Sequence, residues 1–352
     1  MRTELFDYEL PERLIATRPP TERDGGRMCI VREDGVHHDW VRNLPEQIEP
    51  GDLVVLNDTR VRRARLICSR PPRVGRGGET AGGAQVELLF LHPLGEGRWA
   101  ALGRANRPLR PGDQLLAEGL VVRIVERDAE GTLCIDTEGD VEAALERSGH
   151  MPVPPYLQRP GDAEDVTRYQ TVFARNLGSA AAPTAGLHLT DEALARMKAR
   201  GAEIARITLH IGIGTFRPVS VDDLDAHAMH EEWIEVDADL AAAITRTRER
   251  GGRVVAIGTT VVRALESAAS PALRGHVTPT TRSTGILIQP GYEFRVVDAL
   301  LTNFHMPKST LMALVSAFAG RPRILAAYAT AVAENYRFLS YGDAMWLPAR
   351  LA

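Results

Sequence analysis

The chain has 352 residues, 44% hydrophobic and 25% charged, with a formal net charge of −4. A length of this order supports about two domains and a full apolar core without staples. The slight acidity excludes a protein that coats nucleic acid through its overall field, while leaving room for a local basic patch.

In chain order, Glu4, Asp7 and Glu9 stand where a signal peptide would need an apolar run. The turn Pro50-Gly51-Asp52 leads into a strand at Leu53-Val54-Val55-Leu56. Ser69 to Gly83 is rich in Arg, Pro and Gly, and no regular structure is expected there. Short β-rich runs follow at Val86–Leu91, Arg98–Leu102, Gln114–Leu116, Leu120–Val125 and Thr132–Ile135, separated by Gly- and Pro-containing turns. That spacing suggests a small antiparallel barrel or sandwich, inserted into a larger domain.

After residue 150 strand and helix alternate. Helices are expected from Thr190 to Arg200, Asp239 to Arg250, Thr260 to Ala269, Ser309 to Ala319 and Ile324 to Tyr336. Strands are expected at Glu203–Leu209, Arg253–Ile257, Ile286–Ile288 and Val296–Leu301. The alternation argues for a layered α/β domain with a largely parallel sheet, made of residues 1–60 and 150–352 around an insert at 61–149. No run of about 18 apolar residues occurs, so no membrane contact is expected. Cys29, Cys68 and Cys134 are far apart and odd in number, which argues for a reducing compartment and a cytoplasmic protein.

Several segments carry polar or glycine-rich chemistry. Val254 to Arg263 is strand, tight turn and helix, and a helix N-terminus beyond a strand offers free N–H groups to a carboxylate or phosphate. Gly258, Thr259 and Thr260 form that turn, and an ordinary capped turn is the competing reading. Gly212 and Gly214 flank Ile213 in a loop suited to a flat ligand, but the third glycine of a dinucleotide fingerprint is missing. His188, His210, His230 and His305 lie in Gly-, Thr- or Asn-rich surroundings, which suits acid–base work or ligand hydrogen bonding. His227 and His230 are three apart without further ligand spacing, so no metal is expected. Thr302, Asn303 and His305 lie between an apolar strand and an apolar helix, where they are costly without partners. Seven arginines from Arg60 to Arg76, among them Arg60, Arg62, Arg63 and Arg65, form a candidate phosphate-contacting stripe; a solvated loop competes with it.

In their order along the chain, these and other segments resemble the S-adenosylmethionine:tRNA ribosyltransferase-isomerases of queuosine biosynthesis. The resemblance runs through Tyr8-Glu9-Leu10-Pro11, Asn57-Asp58-Thr59-Arg60-Val61, Gly149-His150-Met151-Pro152, Arg168-Tyr169-Gln170-Thr171-Val172 and Ala182 to His188. It continues through Thr208-Leu209-His210, Gly214-Thr215-Phe216, Met229-His230-Glu231-Glu232, Gly258-Thr259-Thr260 with Arg263, Asp298 to Leu311, and Ser340 to Met345. The resemblance implies an α/β main domain with an inserted β-barrel. It implies transfer and isomerisation of the ribosyl part of S-adenosylmethionine, a co-substrate, onto 7-aminomethyl-7-deazaguanine at the tRNA wobble position, releasing adenine and methionine. No other cofactor is expected.

The sulfonium acidifies the C5′ protons, so a base is needed, and adenine leaves better when protonated, so an acid is needed. His188, His210, His230, Glu232 and His305 are the candidates, with roles unallotted. Thr259, Thr260 and Arg263 are expected to hold the methionine carboxylate, and Gly212, Gly214, Thr215, Gly258 and Asn303 to complete the donor site. The chain departs from the family pattern at Arg62-Arg63, where Ile-Pro is usual, at Gln85 (Lys), at Gly25-Gly26 (Ser before Arg27) and at Leu189 (Phe). The first two bear on acceptor choice. A paralogue acting on another acceptor, a non-catalytic tRNA-binding protein and a methyltransferase are the alternatives, though the methyltransferase's usual glycine loop is not evident.

Overall fold

The computed structural model describes residues 1–71, 73–74, 80–81, 83–129, 131–212 and 219–351. Its main body is a nine-stranded sheet in the order Thr280–Thr284, Glu232–Val236, Glu203–His210, Leu53–Asn57, Val254–Ile257, Ala299–Asn303, Ala344–Leu347, Arg27–Arg32 and Gly35–Trp40. The central strands are near-continuous apolar runs because both faces are covered. Side chains alternate between faces, so Leu53, Val55, Val254, Ala256 and Leu300 join one core while Val54, Leu56, Val255, Ile257 and Leu301 join the other. Residues of Ala238–Glu249, Thr259–Ser267, Thr310–Ala319 and Arg321–Ala333 belong to the first core, and those of Asp191–Ala199 to the second.

The expected strand–helix order is present, but the sheet is mixed rather than largely parallel. The three pairings among Glu203–His210, Leu53–Asn57, Val254–Ile257 and Ala299–Asn303 are parallel, and antiparallel strands flank them on both sides. Ile286–Ile288 forms no strand. It follows the edge strand Thr280–Thr284, and its residues pack against the core without a ladder partner.

The insert is a closed six-stranded antiparallel barrel made of Arg65–Ser69, Gln85–Gly95, Arg98–Ala105, Gln114–Ala117, Leu120–Arg127 and Leu133–Glu138. Its core runs from Ala64 to Leu145 and includes helix Val141–Ser148, whose N-cap Asp140 accepts from the Ala143 amide. The segment expected to lack regular structure begins within a barrel strand at Ser69, and a short pair, Arg73–Val74 with Thr80–Ala81, lies inside it.

The chain segments into and out of the barrel are stitched together. Arg65 and His150 exchange backbone hydrogen bonds of 3.2 and 2.7 Å. Arg63 donates to the carbonyls of Gly149 and Glu146, both at 2.9 Å, and so caps the helix C-terminus. A Cβ on Gly149 would lie 2.1 Å from the Arg63 carbonyl oxygen and 2.3 Å from that of Leu145, both backbone atoms that cannot swing aside. Gly149→Ala is expected to lower stability by about 1–3 kcal/mol, read as a lower urea midpoint.

Candidate active site

The parallel strands end at a common edge, where the chain turns into helices and loops, the usual place for a ligand in such sheets. At the end of Val254–Ile257, Gly258 adopts φ +101°, a conformation that favours glycine, and its amide donates to the Leu301 carbonyl at 2.8 Å. The helix Thr259–Ser267 that follows has no side-chain cap. Asn57, closing the neighbouring strand, donates to the Leu209 carbonyl at 3.0 Å and to Thr260 Oγ1 at 3.3 Å.

Among the described residues, three hollows share this edge. One is lined by Tyr156, Gly258, Thr259, Thr260, Asn303 and His305, among others. The second has Thr259 and Thr260 in common with it and adds His227, His230, Glu232 and Arg263. The third lies between barrel and sheet, with Leu91, His92, Pro93 and Thr132 from the barrel facing Gly178, His210, Gly212, His230 and Trp233. The first two are about 100 and 70 Å³, below the range of roughly 300–1,000 Å³ for small-molecule pockets. The third is about 710 Å³. Ile211 belongs to the first and third, and His230 to the second and third, so the hollows adjoin.

Most of the residues singled out in the sequence meet here. Arg263 and Glu232 form a buried ion pair in the second hollow, 8% and 3% exposed at their side chains. Among the described residues, Arg263 Nη2 has no hydrogen-bond partner, nor has Asn303 Oδ1; a polar ligand group would relieve either atom. His305 lines the first hollow, where Nε2 is 2.9 Å from Thr302 Oγ1. Burial pushes its imidazole down to about 3. His210 Nδ1 is 2.8 Å from Thr59 Oγ1, and its ring stacks on Trp233 with centroids 5.0 Å apart and 15° between planes. Burial, then the Arg62 charge, lower the His210 pKa, against a smaller raising effect of Asp58.

His188 differs from the other histidines. It is 3% exposed, lines none of the three hollows, and sits behind Asn303 with Nε2 3.1 Å from Nδ2. Burial first, then Arg23 and Arg337, push it down to about 4. Its place is that of a support for Asn303. Gly214 and Thr215 lie outside the described residues.

Of the arginine stripe, Arg62, Arg63 and Arg65 are engaged within the chain, and Arg76 lies outside the described residues. Arg62 pairs with Glu142 at 2.9 Å and its guanidinium lies 5.1 Å from the Trp99 ring centre. Arg63 caps the barrel helix, and Arg65 donates to the Val153 carbonyl at 3.3 Å. Arg60 is exposed. Among the described residues, no cluster of three or more His, Cys, Asp or Glu is placed to hold a metal ion, and no helix is long and apolar enough to cross a membrane.

Sequence reasoning gave no individual role to Asn57, Thr59, Gly178 or Trp233. The motif Asn57-Asp58-Thr59 was visible as part of the resemblance. Gly178 and Trp233 carry no local signal, because only the fold brings them to His210.

Comparison with known proteins adds to this geometry. The sequence profile of a family described as "Queuosine biosynthesis protein" matches residues 3–347. A relative from Sorangium cellulosum (strain So ce56), named S-adenosylmethionine:tRNA ribosyltransferase-isomerase, is 52% identical over 375 residues, spanning 98% of each chain. One of the same name from Symbiobacterium thermophilum is 50% identical over 351 residues, 98% of this chain and 99% of the relative. The crystal structure of an S-adenosylmethionine tRNA ribosyltransferase from Thermotoga maritima is similar at 33% identity and a TM-score of 0.53, covering 97% of this chain and 99% of that one.

The two buried histidines give the fold a defined acid sensitivity. Unfolded, each takes up a proton near the ordinary imidazole value of 6.5; folded, His188 resists until about 4 and His305 until about 3. Their contribution is therefore fully present above pH 6.5 and is lost as pH falls toward 4. Each removes about 1.4 kcal/mol of stability per pH unit through that window. Urea unfolding at pH 7, 6 and 5 is expected to show this loss, and His305→Gln to make it shallower.

Proposed function

The chain belongs to the queuosine biosynthesis family, and we infer that it acts as an S-adenosylmethionine:tRNA ribosyltransferase-isomerase. Its acceptor in this reading is 7-aminomethyl-7-deazaguanine at the tRNA wobble position, and its products are the epoxyqueuosine nucleoside in tRNA, adenine and methionine. A tRNA-modifying role places the protein in the cytoplasm. S-adenosylmethionine is the co-substrate, and the reading requires no further cofactor.

The observation that carries the reading is the meeting of two kinds of surface at one sheet edge. On one side, the uncapped N-terminus of Thr259–Ser267 stands between two small hollows, with Arg263 beside it. N–H groups at a helix N-terminus attract a carboxylate, so Gly258, Thr259, Thr260 and Arg263 hold the methionine end of the donor. On the other side, the wide cleft beneath the barrel admits a nucleotide of the tRNA. Gly212 lines the cleft, with open space among the described residues where a side chain would stand. The donor's C5′ then lies toward His210 and His230, the two candidate histidines lining the cleft.

Within this reading, Glu232 serves mainly to balance Arg263. His305 stays neutral at working pH and offers a hydrogen bond from the first hollow. Asn303, backed by His188, presents its free Oδ1 to the donor. Arg60 meets RNA phosphate, while Arg62, Arg63 and Arg65 fix the barrel that frames the cleft.

The deciding assay uses S-adenosylmethionine labelled in its ribose and tRNA bearing the aminomethyl-deazaguanine. Labelled wobble nucleoside with stoichiometric adenine and methionine is expected by mass spectrometry. Adenine and methionine without labelled tRNA would replace the acceptor; methyl transfer would overturn the reaction class. Asn303→Ala is expected to lower kcat/KM for S-adenosylmethionine by about 10-fold, the scale of one lost hydrogen bond of about 1.4 kcal/mol.

A further inference from the structure

His210 is held on three sides. Thr59 Oγ1 meets Nδ1 at 2.8 Å. Trp233 stacks on the ring at a centroid distance of 5.0 Å. The third side is Gly178. A Cβ there would lie 2.6, 2.7 and 2.8 Å from Nε2, Cε1 and Cδ2 of His210. These near-equal distances place it over the ring rather than at its edge, so only a residue without a side chain lets the imidazole lie where it does.

The three come from separate parts of the fold. Thr59 begins the short strand Thr59–Val61, which pairs in parallel with Asn176–Ser179, the strand carrying Gly178. Trp233 is on Glu232–Val236 and is the direct cross-strand partner of His210. Nε2 makes no hydrogen bond among the described residues, and the ring borders the wide cleft. In the tautomer this proposal uses, Nδ1–H donates to Thr59 Oγ1 and Nε2 carries the lone pair. The lowered pKa keeps that lone pair available at neutral pH.

We propose that Thr59, Gly178 and Trp233 form a clamp that presents Nε2 of His210 as the proton acceptor for C5′ of S-adenosylmethionine. This inference rests on the ribosyl-transfer reading above. In the step, the C5′–H bond breaks, its electron pair stays on C5′ beside the sulfonium, and the proton forms an N–H bond at Nε2, leaving an imidazolium. His210 is the catalytic residue; Thr59, Gly178 and Trp233 are positioning residues.

The test measures kcat and KM for S-adenosylmethionine against pH, and deuterium uptake at C5′ in D2O, in the full-length protein with modified tRNA. His210→Gln is expected to lower kcat by about 10²–10⁴-fold. Gly178→Ala, which displaces the ring, is expected to lower kcat by about 100-fold with little change in KM. Thr59→Val should lower kcat and C5′ exchange together and move the acid limb of the pH profile, while Thr59→Ser restores both. Should Gly178→Ala fail to fold, judged by its near-ultraviolet dichroism, the Thr59 pair decides.

Wild-type kcat and an unmoved acid limb in Thr59→Val and Gly178→Ala would overturn the clamp. Losses confined to KM, or full C5′ exchange in His210→Gln, would do the same. In any of those cases an active wild-type enzyme leaves the ribosyl-transfer reading standing. A wild-type enzyme that transfers no ribosyl label removes that reading, and the clamp's role in it as well.

Discussion

The side chain of Asn57 holds the working edge of the molecule together. It is 1% exposed at the end of the central strand Leu53–Asn57. Its Oδ1 accepts from the amides of Thr59 and Leu209 at 3.2 and 3.1 Å, and its Nδ2 donates to the Leu209 carbonyl and Thr260 Oγ1. One buried amide thus saturates its four hydrogen-bonding sites, tying the strand that ends in His210 to the helix that begins at Thr259. An aspartate would leave the Leu209 carbonyl without its donor, since a carboxylate only accepts. The neighbouring Asp58 extends the arrangement by accepting from Thr208 and Asn176, which sets the height of the strand carrying Gly178. The geometry around His210 and around the helix N-terminus therefore has a common origin in three consecutive residues.

The barrel gives this edge its second wall. A sheet edge alone would leave His210 and His230 facing open water, where a charge is screened and a proton acceptor is solvated. Here the barrel's Leu91, His92, Pro93 and Thr132 face them across the cleft. What fixes the barrel's attitude is largely arginine: Arg62 on Glu142 and Trp99, Arg63 on the helix end, and Arg65 on Val153. Both residues of the Arg62-Arg63 pair find partners within the chain itself. The same Arg62 lowers the His210 pKa across the cleft, so docking of the barrel and the basicity of the histidine are physically coupled.

How much of this was legible in the sequence follows from where each signal resides. The apolar runs at Leu53–Leu56 and Val254–Ile257 were readable because strands buried on both faces need no alternation. Gly258 was readable because a sharp strand-to-helix turn favours glycine. The mixed character of the sheet was not, since Glu232–Val236, Thr280–Thr284 and Ala344–Leu347 are short strands whose direction depends on long-range pairing. His188 shows the limit for site residues. Its Thr-Ala-Gly-Leu-His setting looks as reactive as that of His210, and only burial behind Asn303 tells them apart. For the arginine stripe the limit is different: seven positive charges in sequence say nothing about which of them already have partners.

Burial divides the histidines into two kinds of chemistry. His188 and His305 are enclosed, and burial pushes their protonation down to about 4 and 3, so both imidazoles are neutral at neutral pH. They can orient an amide or a ligand without changing charge as the reaction proceeds. His210 is half-buried, and the lowering of its pKa is opposed by Asp58. A group so placed can accept a proton from a carbon acid and still have its imidazolium stabilised by a nearby carboxylate. The division matters because the donor brings its own positive charge. A site lined by titrating histidines would become more cationic as pH falls and would repel the sulfonium. Enclosing His188 and His305 withdraws two such charges from the site, while His210, half-open toward the cleft, is left for the proposed proton transfer.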